Sequence, residues 1–364
     1  MPERIQHYGW PVSPYSAKTR AYLKFKGADF DDVEPTAGKL IWSIRRAVGR
    51  PVMPTILMPD GGWLQDSSEI IDTFEDRLTG PKVTPETPRQ RLASALLELH
   101  GDEWLPTVAM HTRWNTPENV EFAHLEFARC GFPHLPTRLS RRLIRPIAAR
   151  MSGYLPILGV TAETVPGIDK FIADTVQILE THLAVHPYLL GSRPCIGDFA
   201  MYGPLWAHVY RDPGSRKHFA NAPAVVAWFE RLANPSGQPG SYLPDDEVPA
   251  TLDPLFGTLF SEQMVFVGQL IDAIDVWCAE NPDAKRVPRS LGPAPLTFGG
   301  RQGIRKLVTF SQWMAQRPYE VYGALAGDDK IAVDAFLERV GGTQAMSRTI
   351  AHPFVREHFD MKLA

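Results

Sequence analysis

Residues 52–70 read VMPTILMPDGGWLQDSSEI and predict a strand, a tight turn, a second strand and the start of a helix. The apolar residues at 55–58 and 63–65 flank the turn PDGG, and an Asp-Gly step between two apolar runs indicates a β-hairpin. Pro54 stands directly before the first strand, where proline is tolerated because it cannot donate inside a sheet. The polar cluster QDSSEI is typical of a helix N-terminus, whose unpaired N–H groups suit a carboxylate.

The sequence on either side extends this hairpin into a βαβαββα unit over the first 80 residues. Hydrophobic periodicity predicts strands at 4–8 and 30–33 and helices at 16–26, 39–48 and 68–78. Beyond about residue 85 the strand signals fade, and helices are predicted at 90–112, 137–151, 165–185, 198–210 and 222–233. A Pro-, Gly- and Ser-rich segment at 234–249 indicates a boundary, and helical patterns return in 250–364, chiefly at 256–280 and 328–340.

The composition favours a globular protein of a reducing compartment. The 364 residues include 44% hydrophobic residues and carry a net charge of −3, which gives no general attraction to nucleic acid. No apolar run reaches the length of about 18 residues that a membrane span needs, and the N-terminus lacks an apolar signal segment. Three widely spaced cysteines form no CxxC pair. We therefore expect a cytoplasmic protein with no metal site and no nucleic-acid or membrane partner.

The stretch VSPYSAKTR at 12–20 places two serines at the mouth of the first predicted helix. Ser is a favoured N-cap and Pro favours the first helical position, so a helix cap accounts for Ser13 and Pro14 on their own. A second role depends on what the rest of the N-terminal unit brings near Ser13.

Taken together, these features resemble the glutathione transferase superfamily. The matching motifs are a Ser near the first helix, Met53–Pro54 before a strand, and the helix start DSSEI at 66–70. A further match is HPYLLGSRPCIGDFAMYGPLW at 186–206, with Asp198 in the place of the family's buried helix-capping Asp. The resemblance covers residues 4–232. It implies a thioredoxin-like domain at 1–82 and an all-helical substrate domain at 88–233, and it leaves 250–364 as an additional helical region of unknown role.

The resemblance also implies roles for individual residues. Ser13 would hydrogen-bond the glutathione sulfur, with Ser16 and Tyr8 as alternatives. The remaining contacts to the tripeptide would come from Met53 and a cis Pro54 at the cysteinyl peptide, Asp66 and Ser67 at the γ-glutamyl group, and Lys39 at the glycine carboxylate, where Arg50 is a rival. Two positions depart from the family: Asp66 replaces a longer Glu or Gln, and Cys195 replaces a capping Ser or Thr.

The serine restricts the chemistry. The stretch SPYS resembles the CPYC of glutaredoxins with both sulfurs replaced by oxygen, and a hydroxyl cannot form a disulfide. The resemblance therefore implies a cytoplasmic, homodimeric enzyme that uses glutathione as cosubstrate and activates its thiolate for attack on a small, largely apolar electrophile. A glutathione-dependent isomerase or lyase, and a non-catalytic glutathione-binding or interaction protein, remain alternatives.

Two further segments carry weaker signals. In the resemblance, the helix at 90–112 lines the cleft, so His100, Trp104 and Met110 would contact the second substrate, ordinary packing being the alternative. The glycine-rich, basic GGRQGIRK at 299–306 lacks the Lys-Ser/Thr ending of a phosphate-binding loop, and we expect a flexible loop there, with an anion contact as the alternative.

Overall fold

The computed structural model describes residues 3–364 and divides the chain into two compact units. Each unit is assembled from three segments that are distant in sequence. The first unit contains the residues up to Val83 together with Val108–Tyr154 and Phe199–Pro239; the second contains Thr84–Thr107, Leu155–Asp198 and Gly240–Ala364. The division into three consecutive domains at 1–82, 88–233 and 250–364 remains a prediction.

The N-terminal part of the first unit has the predicted βαβαββα order. Its elements are β1 (Ile5–Tyr8), α1 (Pro14–Phe25), β2 (Phe30–Val33), a π-helical segment (Lys39–Ile44) that leads into α2 (Arg45–Val48), β3 (Thr55–Leu57), β4 (Trp63–Gln65) and α3 (Ser67–Arg77). The strands form one mixed sheet in the order β2-β1-β3-β4. β1 is parallel to β2 and antiparallel to β3, and β3 and β4 form the predicted hairpin. This is a thioredoxin-like arrangement.

Residues 88–233 are mostly helical, as predicted, and they include one α-helix, at 117–131, that was not predicted. The helices are α4 (Pro88–Leu99), α5 (Leu105–Asn115), α6 (Pro117–Gly131), α7 (Thr137–Ser152), α8 (Val165–Leu183), α9 (Ile196–Pro204) and α10 (Pro223–Ala233). A π-helical segment, His100–Trp104, joins α4 to α5, and a second, Leu205–Tyr210, follows α9. The single helix predicted at 90–112 is therefore continuous in helical conformation but contains a π segment that the periodicity did not reveal.

The C-terminal region is mainly helical, and it also contains two β-hairpins that the sequence analysis missed. Its elements are α11 (Asp253–Thr258), a π-helical segment (Leu259–Gln263), α12 (Met264–Glu280), β5 (Ser290–Phe298), β6 (Arg301–Val308), α13 (Phe310–Gly323), α14 (Gly327–Val340), α15 (Thr343–Met346), β7 (Phe354–Glu357) and β8 (Asp360–Leu363). β5 pairs antiparallel with β6, and β7 with β8. None of the helices in residues 3–364 is long and apolar enough to span a bilayer.

The GGRQGIRK segment is an ordered hairpin, which corrects the expected flexible loop. Gly299 and Gly300 form its two-residue turn with φ of 56° and 76°, the left-handed pair that a tight hairpin requires. The Glu262 carboxylate accepts hydrogen bonds from both turn N–H groups, at 2.9 Å from Gly299 and 2.8 Å from Gly300. These bonds fix the turn.

The core of the first unit surrounds α1. Tyr22 is fully buried, lies edge-on to Phe199 with ring centroids 5.9 Å apart, and donates its hydroxyl to Glu75 on α3 at 2.9 Å. The same carboxylate forms an ion pair with the ammonium of the buried Lys26 at 3.0 Å. Because the Glu75 carboxylate is a partner for both the Tyr22 hydroxyl and the Lys26 ammonium, these polar atoms do not weaken the packing of α1 on α3.

The core of the second unit contains the π-helical segment before α5. Trp104 is 1% exposed and stacks on Phe298 of β5, with ring centroids 4.8 Å apart and 9° between the planes. Arg305 of β6 lies 5.3 Å from the rings of Trp104 and Phe266 and donates to the Glu103 carbonyl at 2.9 Å. The first hairpin of the C-terminal region is therefore built into this core.

Candidate functional site

Ser13 is the N-cap of α1. Its backbone is extended, with φ −93° and ψ 120°, and Pro14 takes the first helical position. The Ser13 Oγ accepts the backbone N–H of Ser16 at 3.3 Å. A side chain at Gly9 would bring its Cβ within 2.6 Å of Ser16, so glycine allows the end of β1 to approach the helix start this closely. The cap interpretation of Ser13 is thus confirmed.

Ser16 supports Ser13 and does not compete with it. The Ser16 hydroxyl is completely buried and donates to the Ser13 Oγ at 3.0 Å. A serine oxygen has two acceptor lone pairs and one donor proton. Because the N–H and O–H of Ser16 occupy both acceptor positions, Ser13 is left with its own proton to donate outward. The hydroxyl proton of Ser16 is already donated to Ser13, which argues against the alternative that Ser16 contacts a ligand sulfur.

Met53 lies beside the segment that leads to Ser13. The Met53–Pro54 peptide bond is cis, as the resemblance implied. Strand pairing of β3 begins only at Thr55, so Met53 precedes the ladder. The backbone N–H of Trp10 donates to the Met53 Sδ at 3.3 Å. Met53 is therefore placed next to the loop between β1 and α1.

Asp66 and Ser67 form the start of α3. Asp66 has φ 86° and ψ 132°, a conformation costly for a side chain and found mostly where function requires it. Its Oδ1 accepts the backbone N–H of Ser68 at 3.0 Å and of Glu69 at 3.4 Å. Ser67 follows as the first helical residue and is 5% exposed. Asp66 is thus a helix cap as well as a candidate ligand contact, a duty that the sequence analysis did not assign to it.

A buried lysine lies behind the start of α3. Lys18 on α1 is 1% exposed and donates its ammonium to the Ser68 hydroxyl at 3.1 Å. This bond links the second turn of α1, which Ser13 caps, to the first turn of α3, which Ser67 begins. The positive end of the α3 dipole favours an anion at this place.

Tyr8, the other alternative for the sulfur contact, is buried and its hydroxyl already has a partner. Tyr8 is 3% exposed, stacks on Trp63 with centroids 5.7 Å apart, and donates its hydroxyl to the Gln6 side chain. Gln6 lies two residues back along β1, and its side chain takes the hydroxyl proton of Tyr8. The Lys39 ammonium stands 5.1 Å from the Tyr8 ring centroid, which is a cation–π contact. Lys39 is half-buried and remains a candidate for a carboxylate.

His100 and Trp104 are core residues, which corrects their assignment to a second-substrate pocket. His100 is fully buried and pairs through Nδ1 with the Gln263 side chain at 2.7 Å, and burial lowers the pKa of His100 to about 4. Trp104 is covered by Phe298. The packing alternative therefore holds for both. Met110 is half-buried on α5 in the first unit and remains a candidate.

The cysteines and the acidic residues suggest no other chemistry. Cys130, Cys195 and Cys278 are free and buried, and burial raises the pKa of all three thiols, to about 12 for Cys130. Within residues 3–364, no group of three or more His, Cys, Asp or Glu side chains is placed to hold a metal ion. Asp198 does cap as the resemblance implied: it is fully buried and accepts the N–H groups of Leu189 and Cys195 at 3.0 and 2.9 Å.

Sequence reasoning missed a buried arginine next to Ser13. Arg113 on α5 is 1% exposed, and its Nη1 donates to the backbone carbonyl of Val12 at 2.8 Å. It also forms a bidentate pair with Asp212, whose two oxygens lie 2.7 Å from the Nε and Nη2 of Arg113. The spacing of 99 residues between these two partners left no local signal from which the pair could be inferred.

Two family models match the chain, the glutathione S-transferase N-terminal domain over residues 8–82 and the glutathione S-transferase C-terminal domain over residues 169–235. No curated protein matches it. Similar solved structures include a glutathione S-transferase from Xanthobacter autotrophicus Py2, with 23% identity, a TM-score of 0.37, and coverage of 69% of this chain and 99% of that one.

Another similar structure is the beta-etherase LigF from Sphingobium sp. strain SYK-6, with 19% identity, a TM-score of 0.42, and coverage of 63% and 94%. A third is a glutathione S-transferase from Methylobacterium radiotolerans JCM 2831 in complex with glutathione sulfonate, with 18% identity, a TM-score of 0.39, and coverage of 66% and 98%.

Proposed function

Because the chain belongs to the glutathione S-transferase superfamily, we propose that it binds glutathione in the first unit and activates its sulfur for attack on a small, largely apolar electrophile. The observation that carries the proposal is the hydrogen bonding of Ser13. Both acceptor positions of its hydroxyl are taken by Ser16, so its proton is available for a sulfur at the mouth of α1.

The other proposed contacts follow the extended tripeptide. The backbone of Met53, ahead of the β3 ladder, pairs with the cysteinyl residue. Asp66 takes the γ-glutamyl amine, and Ser67 with the N-terminus of α3 takes its carboxylate, where the helix dipole favours negative charge. Lys39 takes the glycine carboxylate.

The energies suffice for activation near neutral pH. A free thiol titrates near pH 8.5, so only a few per cent is thiolate at pH 7. Lowering the thiol pKa by about two requires a preference of roughly 2.7 kcal/mol for the ionised form. One hydrogen bond to a charged group contributes about 1.5–3 kcal/mol, and the end of the 12-residue helix α1 adds about 0.3–1 kcal/mol. No cationic base is needed.

The reaction class is constrained by the hydroxyl. The thiol proton passes to solvent, and the sulfur electron pair forms a carbon–sulfur bond with the electrophile. The leaving group departs with its bonding pair or, in an addition, the acceptor carbon takes a proton from water. Ser13 stays hydrogen-bonded to sulfur and forms no covalent bond. A mixed disulfide between site and glutathione is excluded, because neither Ser13 nor Ser16 carries sulfur.

One experiment separates this enzyme from a non-catalytic glutathione-binding protein. The wild-type protein and Ser13→Ala are compared for retention on glutathione-agarose, for ultraviolet absorbance of bound thiolate, and for turnover of a panel of electrophiles. We expect retention by both proteins and a thiolate signal in the wild type alone. Retention with a thiolate signal that does not depend on Ser13, or with no signal, would overturn the proposal and favour the binding protein.

An isomerase or lyase that acts on one metabolite is the second candidate. It uses the same thiolate, and it assigns a role in substrate selection to residues 250–364, which lie outside both matched family domains. The electrophile panel decides between the two. Conjugation of several unrelated electrophiles supports the transferase, whereas turnover confined to one thioether or one isomerisable substrate supports the isomerase or lyase.

We also propose a cytoplasmic homodimer. The cytoplasmic location rests on the three cysteines, which are free thiols of the kind a reducing compartment maintains. The dimer rests on the resemblance to the family. Analytical ultracentrifugation should give a mass near twice that of the chain, and a monomer at micromolar concentration would contradict the dimer.

A further inference from the structure

We propose that Arg113 is a positioning residue for Ser13, because its buried guanidinium holds the peptide unit from which the Ser13 side chain projects. This inference rests on the proposed function, since the consequence it predicts is read on glutathione bound next to Ser13. It concerns three stretches of the first unit: the loop before α1, the C-terminal half of α5, and the segment that follows α9.

The guanidinium of Arg113 uses all five of its N–H donors. Nε and one Nη2 proton go to the two oxygens of Asp212 at 2.7 Å each, and the other Nη2 proton goes to the Ala207 carbonyl at 2.7 Å. Nη1 donates to the Val12 carbonyl at 2.8 Å and to His208 Nε2 at 2.7 Å. A fully satisfied arginine of this kind has one orientation, because a rotated guanidinium would leave buried donors without acceptors.

His208 is held as a neutral acceptor in this network. Its Nδ1 lies 3.0 Å from the Ala109 carbonyl and donates to it, so Nε2 accepts from Arg113. Burial, together with the adjacent Arg113 charge, holds the pKa of His208 well below its ordinary value. The acceptor therefore persists throughout the physiological range of pH.

The peptide unit between Val12 and Ser13 is held at both ends. Its carbonyl accepts from Arg113, and its N–H, contributed by Ser13, donates to the Trp10 carbonyl at 3.1 Å. Because a peptide unit is planar, these two bonds fix its rotation. That rotation sets the direction of the bond from Cα to Cβ of Ser13, and so the place at which the hydroxyl proton is offered.

If Arg113 contributed only its positive charge, it would not need all five of these hydrogen bonds. Asp212 alone neutralises the charge of Arg113, and it uses two of the five donors. The remaining donors reach two backbone carbonyls and one imidazole, which are contacts that position chain segments. A lysine could keep the charge but not this fork of donors. The proposed role therefore predicts that charge alone will not rescue Arg113.

The test compares Arg113→Lys with a matched control, Asn119→Ala. Asn119 is also fully buried in the first unit and bonds the Thr112 carbonyl, the Ser215 hydroxyl and the Gly214 N–H, and none of its hydrogen bonds is to the loop before Ser13. In folded Arg113→Lys we expect the pKa of bound glutathione to rise by about one, with a fall of about tenfold in kcat and little change in the glutathione KM. Asn119→Ala should lose stability and keep the wild-type thiolate pKa.

A double-mutant cycle with Ser13→Ala shows whether Arg113 acts through Ser13. Adding Arg113→Lys to Ser13→Ala should leave the thiolate pKa unchanged, since the hydroxyl being positioned is gone. An equal rise in both backgrounds, or a wild-type thiolate pKa in folded Arg113→Lys, would overturn the inference. If Arg113→Lys does not fold, two variants of His208 provide the test. His208→Gln can both accept and donate hydrogen bonds at this place and should fold with a thiolate pKa near that of the wild type. His208→Leu cannot, and it should raise the thiolate pKa.

Amide hydrogen exchange distinguishes failure of this inference from failure of the proposed function. Even if the wild type shows no Ser13-dependent thiolate, Arg113→Lys should lose protection at the amides of Ser13 and Ser16, while Asn119→Ala should keep it. Unchanged protection at these amides in Arg113→Lys would show that Arg113 does not position the loop.

Discussion

Replacing Ser13 with Ala removes one oxygen that has three hydrogen-bonding duties. That oxygen accepts the N–H and the hydroxyl of Ser16, at 3.3 and 3.0 Å, and its own proton is assigned to the glutathione sulfur. Losing the hydrogen bond to an ionised sulfur costs about 1.5–3 kcal/mol, which raises the thiol pKa by about one to two. Ser13→Ala also removes the helix cap and leaves the buried hydroxyl of Ser16 without its acceptor. Together these losses lower the free energy of unfolding by about 1–3 kcal/mol.

The assay is the pH dependence of kcat/KM with an electrophile in excess, together with ultraviolet titration of the bound thiol. In the wild type the rate should rise with pH through the lowered thiol pKa and then level off. In Ser13→Ala the rise should move to higher pH, so that the loss is about 10–100-fold at neutral pH and becomes small once free glutathione is itself ionised. Ser16→Ala is the matched control, since it keeps the Ser13 hydroxyl and should shift the titration less.

The same comparison can refute the reasoning. If Ser13→Ala and the wild type titrate at the same pH while both stay folded and bind glutathione, the hydroxyl does not stabilise the thiolate. A loss of activity that is constant at every pH would also contradict the account, because removing thiolate stabilisation must matter less as the pH rises.

Three further predictions concern stability. In urea unfolding, Asp66→Ala should destabilise the protein more than Asp66→Gly. Both variants lose a cap worth about 0.5–2 kcal/mol, but only glycine adopts φ 86° without strain. Equal losses of stability would show that the backbone at this position is not strained. Trp104→Ala should cost about 3–5 kcal/mol by removing the ring stacked on Phe298 and leave the KM for the electrophile unchanged, and a large increase in that KM with little loss of stability would restore Trp104 as a second-substrate contact. Burial lowers the pKa of His100 to about 4 in the folded chain, so its contribution to the free energy of unfolding is intact above pH 6.5 and falls by about 3 kcal/mol as the pH drops toward 4. His100→Gln should make the free energy of unfolding, measured with denaturant at several pH values, depend less on pH. An unchanged pH dependence in His100→Gln would contradict this.

The elements of the N-terminal βαβαββα segment could be predicted to within two residues because their signals are local, except that the helix predicted at 39–48 begins with a π-helical segment. Strand β2 begins and ends where the apolar pattern placed it, and the hairpin β3–β4 follows from its Asp-Gly turn. The cis bond before Pro54 followed only from the resemblance. Proline before a strand is usually trans, so the residues themselves gave no sufficient reason to expect it.

The hairpin β5–β6 was missed because its strands violate the usual signals. β5 contains two prolines, which stand at exposed positions, and its alternation of buried Ala294, Leu296 and Phe298 went unused. In β6 the pattern is inverted: Ile304 is 60% exposed, whereas Arg305 is 4% exposed. The reason is tertiary, since Arg305 is buried against the rings of Trp104 and Phe266, which only the folded chain brings together.

Part of the candidate site could be predicted from the sequence because its residues lie where local signals are strong. Ser13, Pro54 and Ser67 lie at the starts of helices or strands, and such starts have residue signatures. The hydrogen bond between the two serines could not be inferred, because a Ser at position i+3 of a cap has no unique partner. The Arg113 network was invisible, since its acceptors come from segments about a hundred residues away, and two of them are backbone carbonyls.

The most direct test of the central claim is a crystal structure of the complex with glutathione. The account predicts the sulfur within hydrogen-bonding distance of the Ser13 Oγ, the cysteinyl backbone paired with Met53, and the γ-glutamyl carboxylate at the N-terminus of α3. A glutathione whose sulfur contacts another side chain, with the Ser13 hydroxyl turned away from it, would contradict the account.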